Sequence, residues 1–407
     1  AFAGMRDAGD LCAMVLVQHQ LGAAIAIGGP VAMEEVGRPE QGAGGGGLRC
    51  GGGHAAKVSP HGWPGYLGPM PQRRWSLVAV WALCALLLGL RATQPVRHAF
   101  TWDVFGYYLY LPAAFIHHDP GLHDPAWLDA VVAEYEPSAT LYQLVDGPQG
   151  GRVIKYSSGM ALAYAPFFAL AHALAAPLGF PADGFSAPYR VAVTYGMLLW
   201  VMLGLFLSRR LLLHWFDERT TALLLALVVL GTNFLHLAAL DGTLLTHPLL
   251  FTLYAALVLA THRWHLHAGV AAAVAVGAVA GWITLVRPSE GVCLLIPLLW
   301  SGPSGWRAKW RRVADCWPQA MIAVAAFVAM ASPQLAYWKH VTGEWLFYSY
   351  INPGEGFDFG APHTWEFLFS FRKGWFVYTP LALVMVAGLA LVRQRARHQF
   401  CPLYAYL

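Results

Sequence analysis

Charged residues are scarce in this chain. They make up 12% of its 407 residues, whereas hydrophobic residues make up 57%. Because soluble proteins carry about 25% charged residues, this composition is typical of a membrane protein. Apolar runs of roughly 17–25 residues recur, each long enough to cross the ~30 Å of hydrocarbon in a bilayer. We therefore predict an all-α integral membrane protein with about eight or nine transmembrane helices.

Familiar catalytic and metal-binding motifs are also missing. The 6 cysteines show no CxxC or Cys/His spacing, so neither a zinc site nor a disulfide framework is predicted. HExxH, DxD, GxSxG, Walker A and Rossmann glycine motifs do not occur in a suitable context, which argues against proteolysis, nucleotide hydrolysis and cytosolic nucleotide-sugar chemistry. The net charge of +4 comes from clusters at the ends of apolar runs. It gives no reason to expect a nucleic-acid partner.

Three segments differ in composition. Glycine is concentrated in residues 1–69, which we interpret as a disordered segment that need not be native. The residues that follow, 70–75, contain two arginines and a tryptophan and resemble the cytoplasmic edge of a first span. Residues 70–392 form the predicted transmembrane domain. Residues 393–407 form a predicted cytoplasmic tail, and its abrupt end after a basic turn suggests a fragment of a longer chain.

The first predicted span covers residues 75–90. Residues 91–159 then form a long polar and aromatic segment, in which Asp124-Pro125 combines an N-cap with a proline at the first helical position. This predicts a helix lying along the membrane surface. Further apolar runs follow at about 160–178, 189–208, 220–238, 246–262, 268–286, 291–300, 317–337 and 376–392.

Basic clusters indicate the orientation. If Arg73-Arg74 is inside and residues 160–178 cross fully, three later clusters fall outside, against the positive-inside rule: Arg209-Arg210, Lys309-Arg311-Arg312 and Arg393-Arg395-Arg397. If residues 160–178 are re-entrant or lie on the surface, all three clusters fall inside. The same change makes residues 91–159 the first external loop and residues 339–375 a later one.

Asp103 directly follows the first span and is the leading catalytic candidate. Aromatic side chains surround it in sequence, and Tyr107 and Tyr108 could stack on a sugar ring or simply form an interfacial belt. A carboxylate at a membrane edge is most often a solvated cap. Asp103, however, shares the predicted external face with several lysines and arginines, although basic residues are disfavoured on that face. The presence of these basic residues favours a catalytic role for Asp103.

External basic residues need a reason, and an anionic phosphate at the membrane surface is one. Snorkelling or contact with lipid headgroups is the alternative for each of them singly. Arg287 lies in the short turn with Pro288 that joins two apolar runs. It could bind such a phosphate, or it could form an ion pair with Glu290. We predict that a lipid phosphate is bound by polar residues of the external face: Lys155, Tyr156, His247, Arg287, Arg372 and Lys373.

Two further polar groups have weaker signals. His247 lies in the island before Pro248, where it could fill the first turn of a helix, bind a metal, or act as an acid/base partner of Asp103. The aromatic-rich loop 339–375 contains Glu355 and Asp358 as secondary acids, although a glycine-flanked acid is usually turn chemistry. No cofactor is predicted apart from a divalent cation that Asp103 and His247 could hold.

The order of these features forms a pattern. An aspartate lies in the first external loop, surface helices follow, and Lys155-Tyr156-Ser157-Ser158-Gly159 then precedes an apolar segment. This pattern resembles the GT-C superfamily of polytopic glycosyltransferases, which includes protein O-mannosyltransferases and the aminoarabinose transferase acting on lipid A. The chain is most similar to bacterial family 39-like membrane proteins of unassigned substrate. The resemblance covers about residues 75–390.

The resemblance implies that Asp103 is a catalytic base or acceptor anchor and that Arg287 meets the lipid phosphate. His247-Pro248 replaces the Asp-Pro that usually opens a later span, which leaves out a metal-bridged second carboxylate. The implied reaction moves a sugar from a polyprenyl-phosphate donor to a hydroxyl of a glycan, lipid or protein, by inverting single displacement. It would occur at the external or periplasmic face of the inner (plasma) membrane.

A transporter or flippase of lipid-linked saccharides is the alternative from another class. In it, Arg287 and His247 would line a path across the membrane. Many transporters have an acidic residue in the middle of a span and an internal repeat. The sequence contains no acid in the middle of a predicted span and no obvious internal repeat, which argues against this alternative. A non-catalytic membrane scaffold is the third reading, and it would tolerate changes at Arg372 and Lys373.

Overall fold

The computed structural model describes residues 74–300, 305–350, 363–372 and 374–395. Within them the chain is mostly helical. The predicted disordered segment (1–69) and the last part of the predicted tail lie outside the described residues.

Helices α1 to α8 are Trp75–Ala92, Asp103–Phe115, Pro125–Tyr135, Gly159–Ala175, Ala187–Leu212, Glu218–Leu230, Phe234–Ala239 and Thr246–Leu266. Helices α9 to α15 are Val270–Val286, Leu295–Leu299, Gly305–Asp315, Trp317–Thr342, Thr364–Phe369, Trp375–Tyr378 and Leu381–Arg395. A 3₁₀ helix (Pro288–Leu294) links α9 to α10, and strands β1 (Leu144–Asp146) and β2 (Arg152–Ile154) lie between α3 and α4.

Three of the described helices, α1, α5 and α12, are long and apolar enough to cross a membrane. Large apolar side chains such as Trp81, Leu199 and Val324 are exposed on them, as expected where helices meet lipid. The predicted count of eight or nine transmembrane helices is not confirmed. Several predicted runs form shorter elements: residues 220–238 divide into α6 and α7, and residues 291–300 divide between the 3₁₀ helix and α10.

Helices α1 and α5 are antiparallel neighbours, because side chains join them at both ends. At one end, here called the basic end, Arg209 Nε donates to Ser76 Oγ (2.7 Å). At the other end, here called the loop end, Arg190 Nη1 donates to the carbonyl oxygen of Arg97 (2.7 Å). The chain from α2 to α4 therefore returns to the end that it left. The orientation predicted from the basic clusters requires the same return of the chain.

Other contacts place the later helices between the same two ends. Arg91 Nη1 donates to the carbonyl oxygen of Leu240 (2.8 Å), so α7 is followed by a turn at the loop end. The His214 and His262 rings lie 4.7 Å apart, so α8 ends at the basic end. The turn between α7 and α8, which precedes His247, therefore lies at the loop end, as Asp103 does.

The helix predicted from Asp124-Pro125 is confirmed as α3, and its place along a membrane surface stays a prediction. The Asp124 side chain accepts a hydrogen bond from the Ala126 amide (2.9 Å), which caps the helix. Leu128 and Val131 are buried, whereas Asp129 is exposed. One face of the helix therefore packs on the protein, as its apolar periodicity predicts.

The all-α prediction needs one correction. Strands β1 and β2 pair in an antiparallel hairpin in the register Leu144↔Ile154, Val145↔Val153 and Asp146↔Arg152. Gly150 (φ 81°) and Gly151 (φ 71°) form its turn in a backbone region that favours glycine. The hairpin ends immediately before Lys155, so it positions Lys155 at the loop end.

Asp119 organises the turn before α3. Its carboxylate accepts hydrogen bonds from the backbone amides of His123 (3.0 Å) and Asp124 (2.9 Å) and from Trp127 Nε1 (3.2 Å). Burial alone raises the pKa of Asp119, but these hydrogen bonds outweigh it and hold the pKa below its usual value.

We expect Asp119→Asn to lower the free energy of unfolding at neutral pH by about 1 kcal/mol, because charged hydrogen bonds become neutral ones. A depressed folded pKa contributes stability that is complete above the unfolded pKa of about 3.9 and is lost as pH falls through the folded pKa. Chemical unfolding of the detergent-solubilised protein at several pH values measures the difference, with the exposed Asp129→Asn as control. A difference that persists unchanged in acid would contradict this role.

Candidate functional site

The Asp103 carboxylate lies at the loop end, in the first turn of α2, and is partly exposed. Its Oδ1 atom accepts hydrogen bonds from the hydroxyls of Tyr142 (2.5 Å) and Tyr156 (2.8 Å). Within the described residues Oδ2 accepts no hydrogen bond. Two donors thus hold one oxygen in place, and the other is available to a ligand.

Tyr156 is a donor to this carboxylate. Burial, and then the charge of Asp103, raise the pKa of the Tyr156 hydroxyl above its usual range. The hydroxyl therefore stays protonated at neutral pH and keeps donating to Asp103. The Tyr156 ring packs 4.6 Å from the Tyr107 ring. It fits there because Gly106 has no side chain: a Cβ at that position would lie 2.6 Å from the Tyr156 ring.

The residue before Asp103 has a strained backbone. Trp102 has φ 54° and ψ −130°, a region that is almost restricted to glycine. Hydrogen bonds of its backbone hold it: its amide donates to the Pro137 carbonyl (2.9 Å), and its carbonyl accepts from Gln143 Nε2 (2.8 Å) and from the Phe105 amide (3.1 Å). The surrounding loop therefore fixes the point at which Asp103 enters α2.

We expect Trp102→Gly to be more stable than Trp102→Ala by about 1–2 kcal/mol, because both lack the indole but only glycine relieves the strain. Thermal or chemical unfolding of the two variants in the same detergent gives the comparison. An alanine variant at least as stable as the glycine variant would show that this backbone is not strained.

Lys155 directly precedes Tyr156, the residue that donates to the Asp103 carboxylate. The Lys155 side chain is only 4% exposed, and its Nζ atom lies over the Tyr350 ring, 5.4 Å from the centroid. The Tyr350 ring in turn lies 6.0 Å from the Tyr156 ring. Among the described residues Lys155 Nζ has neither an ion pair nor a hydrogen bond. The stem of the side chain is covered, whereas Nζ keeps contact with solvent, so an anionic ligand can reach it.

The segment that carries Lys155 and Tyr156 is held by α12. Gln334 Oε1 accepts a hydrogen bond from the Ser158 amide (2.7 Å), and the Tyr337 hydroxyl accepts one from the Ile154 amide (2.9 Å). At the other end of α12, Gln319 Oε1 accepts from Trp264 Nε1 (2.8 Å). Helix α12 therefore runs from the basic end to the loop end and fixes the backbone on both sides of the two site residues.

Arg287 lies beside the same segment. The start of α4 touches the end of α9 so closely that a Cβ on Gly159 would lie 2.3 Å from the Val286 nitrogen. Trp282 Nε1 also donates to the Gly159 carbonyl (2.8 Å). Arg287 follows directly and is partly exposed. Its guanidinium has no partner among the described residues, and Glu290 accepts instead from the Tyr254 hydroxyl (2.5 Å).

Two residues that were predicted to belong to the site, Tyr108 and His247, are buried inside the protein. Tyr108 is 0% exposed, stacks on Phe100 at 3.8 Å and donates to the Gly184 carbonyl. It has no free face for a sugar. Tyr107 is also buried (8% exposed) and packs on the Tyr156 ring, so neither of the two predicted sugar-stacking tyrosines presents a free ring face. His247 is buried in the first turn of α8, and the hydrogen bonds of Asp103 are to tyrosines, not to His247.

The remaining predictions fall partly outside the described residues, as Glu355, Asp358 and Lys373 do. Arg372 is exposed in the turn between α13 and α14, and no described contact joins it to Asp103. In the described part of the chain, no group of three or more His, Cys, Asp or Glu side chains is arranged to hold a metal ion.

Sequence reasoning missed three residues of this site: Tyr142, Gln334 and Tyr350. Gln334 had a signal, since it is a polar side chain within the apolar run 317–337, and such residues usually have a partner. Tyr142 and Tyr350 had none, because nothing in the sequence separates them from the many other external tyrosines.

The arrangement combines one fixed carboxylate with two cations that lack a carboxylate partner in the described residues. A carboxylate oxygen can take a proton from a hydroxyl, and lysine and arginine can stabilise a phosphate. Comparisons of the chain with protein-family models, curated proteins and solved structures give no match. The resemblance to the GT-C superfamily therefore stays a prediction from the sequence.

Proposed function

We propose that the chain is a membrane glycosyltransferase that moves a sugar from a polyprenyl-phosphate donor to an acceptor hydroxyl. The observation that carries the proposal is the buried Lys155, which has no anionic partner in the described residues, on the segment that also binds Asp103 through Tyr156. The donor phosphate would supply the missing negative charge. Its polyprenyl tail would lie in the bilayer.

The reaction is a single displacement. Asp103 Oδ2 takes the proton of the acceptor hydroxyl as the acceptor oxygen attacks the anomeric carbon. The bond from that carbon to the phosphate oxygen breaks, and polyprenyl phosphate leaves with the electron pair. Lys155 and Arg287 stabilise its charge. Attack opposite the leaving group inverts the anomeric configuration.

The proposed orientation follows from the two ends of the helices. Arg209 and Lys309 lie at the basic end, whereas Asp103 and Lys155 lie at the loop end. If the basic end faces the cytoplasm, the site faces the periplasm or exterior of the inner membrane. Donors that reach this face are lipid-linked, which agrees with a site at the ends of apolar helices.

Transfer from a panel of radiolabelled polyprenyl-phosphate sugars tests the proposal. Membranes that contain the chain should move label from at least one donor into a product that no longer extracts with the lipid. Membranes without the chain provide the background. Label that crosses the membrane while still attached to its lipid would identify a flippase instead, and an absence of transfer from every donor would refute the proposal.

A further inference from the structure

Helix α11 (Gly305–Asp315) lies at the basic end, remote from the site of Asp103. It connects α10 to α12, and residues 301–304 before it are outside the described residues. Four of its eleven residues are Lys or Arg, and none of them has a role in the reaction proposed above. The two faces of the helix have very different surroundings.

The inner face of α11 is docked on the helix ends. Lys309 is buried and donates to the carbonyl oxygens of Pro297 (2.9 Å) and Leu298, which are in the last turn of α10. Arg312 donates to the His265 carbonyl at the end of α8. These two basic residues satisfy backbone carbonyls at helix C-termini, where positive charge is favourable. They fix how α11 lies.

The outer face is aromatic and basic. Trp306 is 36% exposed and Trp310 49% exposed, and Arg307 and Arg311 are exposed between and beside them. The two arginines are one turn apart and have no ion pair or hydrogen bond within the described residues. Like charges at this spacing repel each other and destabilise the helix slightly. An anion near both arginines would relieve that repulsion.

We propose that the outer face of α11 binds the anionic phospholipid surface of the membrane, with the arginines on headgroup phosphates and the two indoles at the level of the headgroups. Charge complementarity selects this occupant, because guanidinium groups bind phosphate in a fork and tryptophan favours the bilayer interface. The adjoining α12 carries exposed apolar side chains such as Met321 and Val324. The face of α11 is therefore next to a surface suited to hydrocarbon.

Native mass spectrometry of the full chain, released from nanodiscs of mixed phosphatidylglycerol and phosphatidylcholine, tests the proposal. We expect Arg307→Gln/Arg311→Gln to weaken retention of phosphatidylglycerol on the order of 30-fold, since each basic residue at an anionic surface contributes roughly fivefold. Retention of phosphatidylcholine should not change. Thermal unfolding in detergent checks that the variant is folded.

The matched control is Arg210→Gln/Arg219→Gln, which removes the same charge from exposed positions near the basic end but outside α11. It should retain phosphatidylglycerol nearly as well as the unaltered chain. An equal loss in both variants would mean that net charge alone is responsible, and no loss in the α11 variant would mean that this face binds no anionic lipid. Displacement of the lipid by inorganic phosphate would indicate a soluble phosphate ligand, and each of these outcomes overturns the proposal.

Discussion

Asp103→Asn is expected to lower the rate of sugar transfer about 10²–10⁴-fold, the usual contribution of a general base. The amide keeps an oxygen that can accept from Tyr142 and Tyr156, whose hydroxyls lie 2.5 Å and 2.8 Å from Oδ1. The variant should therefore fold normally. It cannot take the proton of the acceptor hydroxyl, so the loss should fall on turnover and not on donor binding.

The control for this prediction is Asp129→Asn, an exposed acid of the same loop on α3. It should leave transfer unchanged. The assignment of Asp103 as the base would be abandoned if purified Asp103→Asn kept more than about a tenth of the normal turnover, given the lower limit of the expected range.

Lys155→Met is expected to weaken donor binding without lowering stability. Loss of the cation should raise the KM for the donor roughly 10–150-fold, which corresponds to about 1.5–3 kcal/mol for hydrogen bonds to a charged group. The ligand-free protein should be about as stable as before, because the covered stem of the lysine is replaced by an apolar chain of similar length.

Donor kinetics and chemical unfolding in the same detergent measure both effects. Lys339→Met is the matched control, because Lys339 is an exposed lysine near the end of α12 whose Nζ donates to the Gly343 carbonyl (2.5 Å). It should change neither quantity much. A Lys155→Met variant that is destabilised and binds the donor normally would show that Lys155 is structural.

Much of the helical scaffold was predictable because the signals are local. Apolar runs gave α1, α5 and α12 nearly to their ends, and the Asp124-Pro125 pair gave the start of α3. The number of crossings was not predictable in this way. A run such as 220–238 can be one span or two short helices. Gly231-Thr232-Asn233, which divides it, is a local turn signal that the length of an apolar run does not take into account.

The site was predictable only in part. Asp103, Lys155 and Tyr156 were identified from their position after the first span and from their charge, and the structure joins Asp103 to Tyr156 by a hydrogen bond. Loop charge also led to the expectation that residues 160–178 are re-entrant or lie on the surface. The contacts of Arg190 and Arg209 show that the chain between α1 and α5 returns to one end, whereas the position of residues 160–178 in a membrane stays a prediction. Tyr108 was misplaced because neighbouring tyrosines on a helix point in different directions.

Contacts between distant segments could not be predicted from one sequence. Tyr142 reaches Asp103 across 39 residues, and Gln334 reaches Ser158 across 176. The hairpin β1–β2 did have a signal, since Asp146-Gly147-Pro148-Gln149-Gly150-Gly151 between two short apolar stretches is typical of a turn. It was missed because the composition favoured helices throughout.

The most direct test of the proposed function is the chemical outcome of turnover by the purified chain in liposomes, with the labelled donor that membranes use best. We predict that free polyprenyl phosphate accumulates one for one with transferred sugar, and that the new glycosidic bond has the opposite anomeric configuration to the donor. Asp103→Asn and Lys155→Met should suppress both products together. Intact donor moving between leaflets without release of polyprenyl phosphate, or a product that retains the donor configuration, would contradict the proposed reaction.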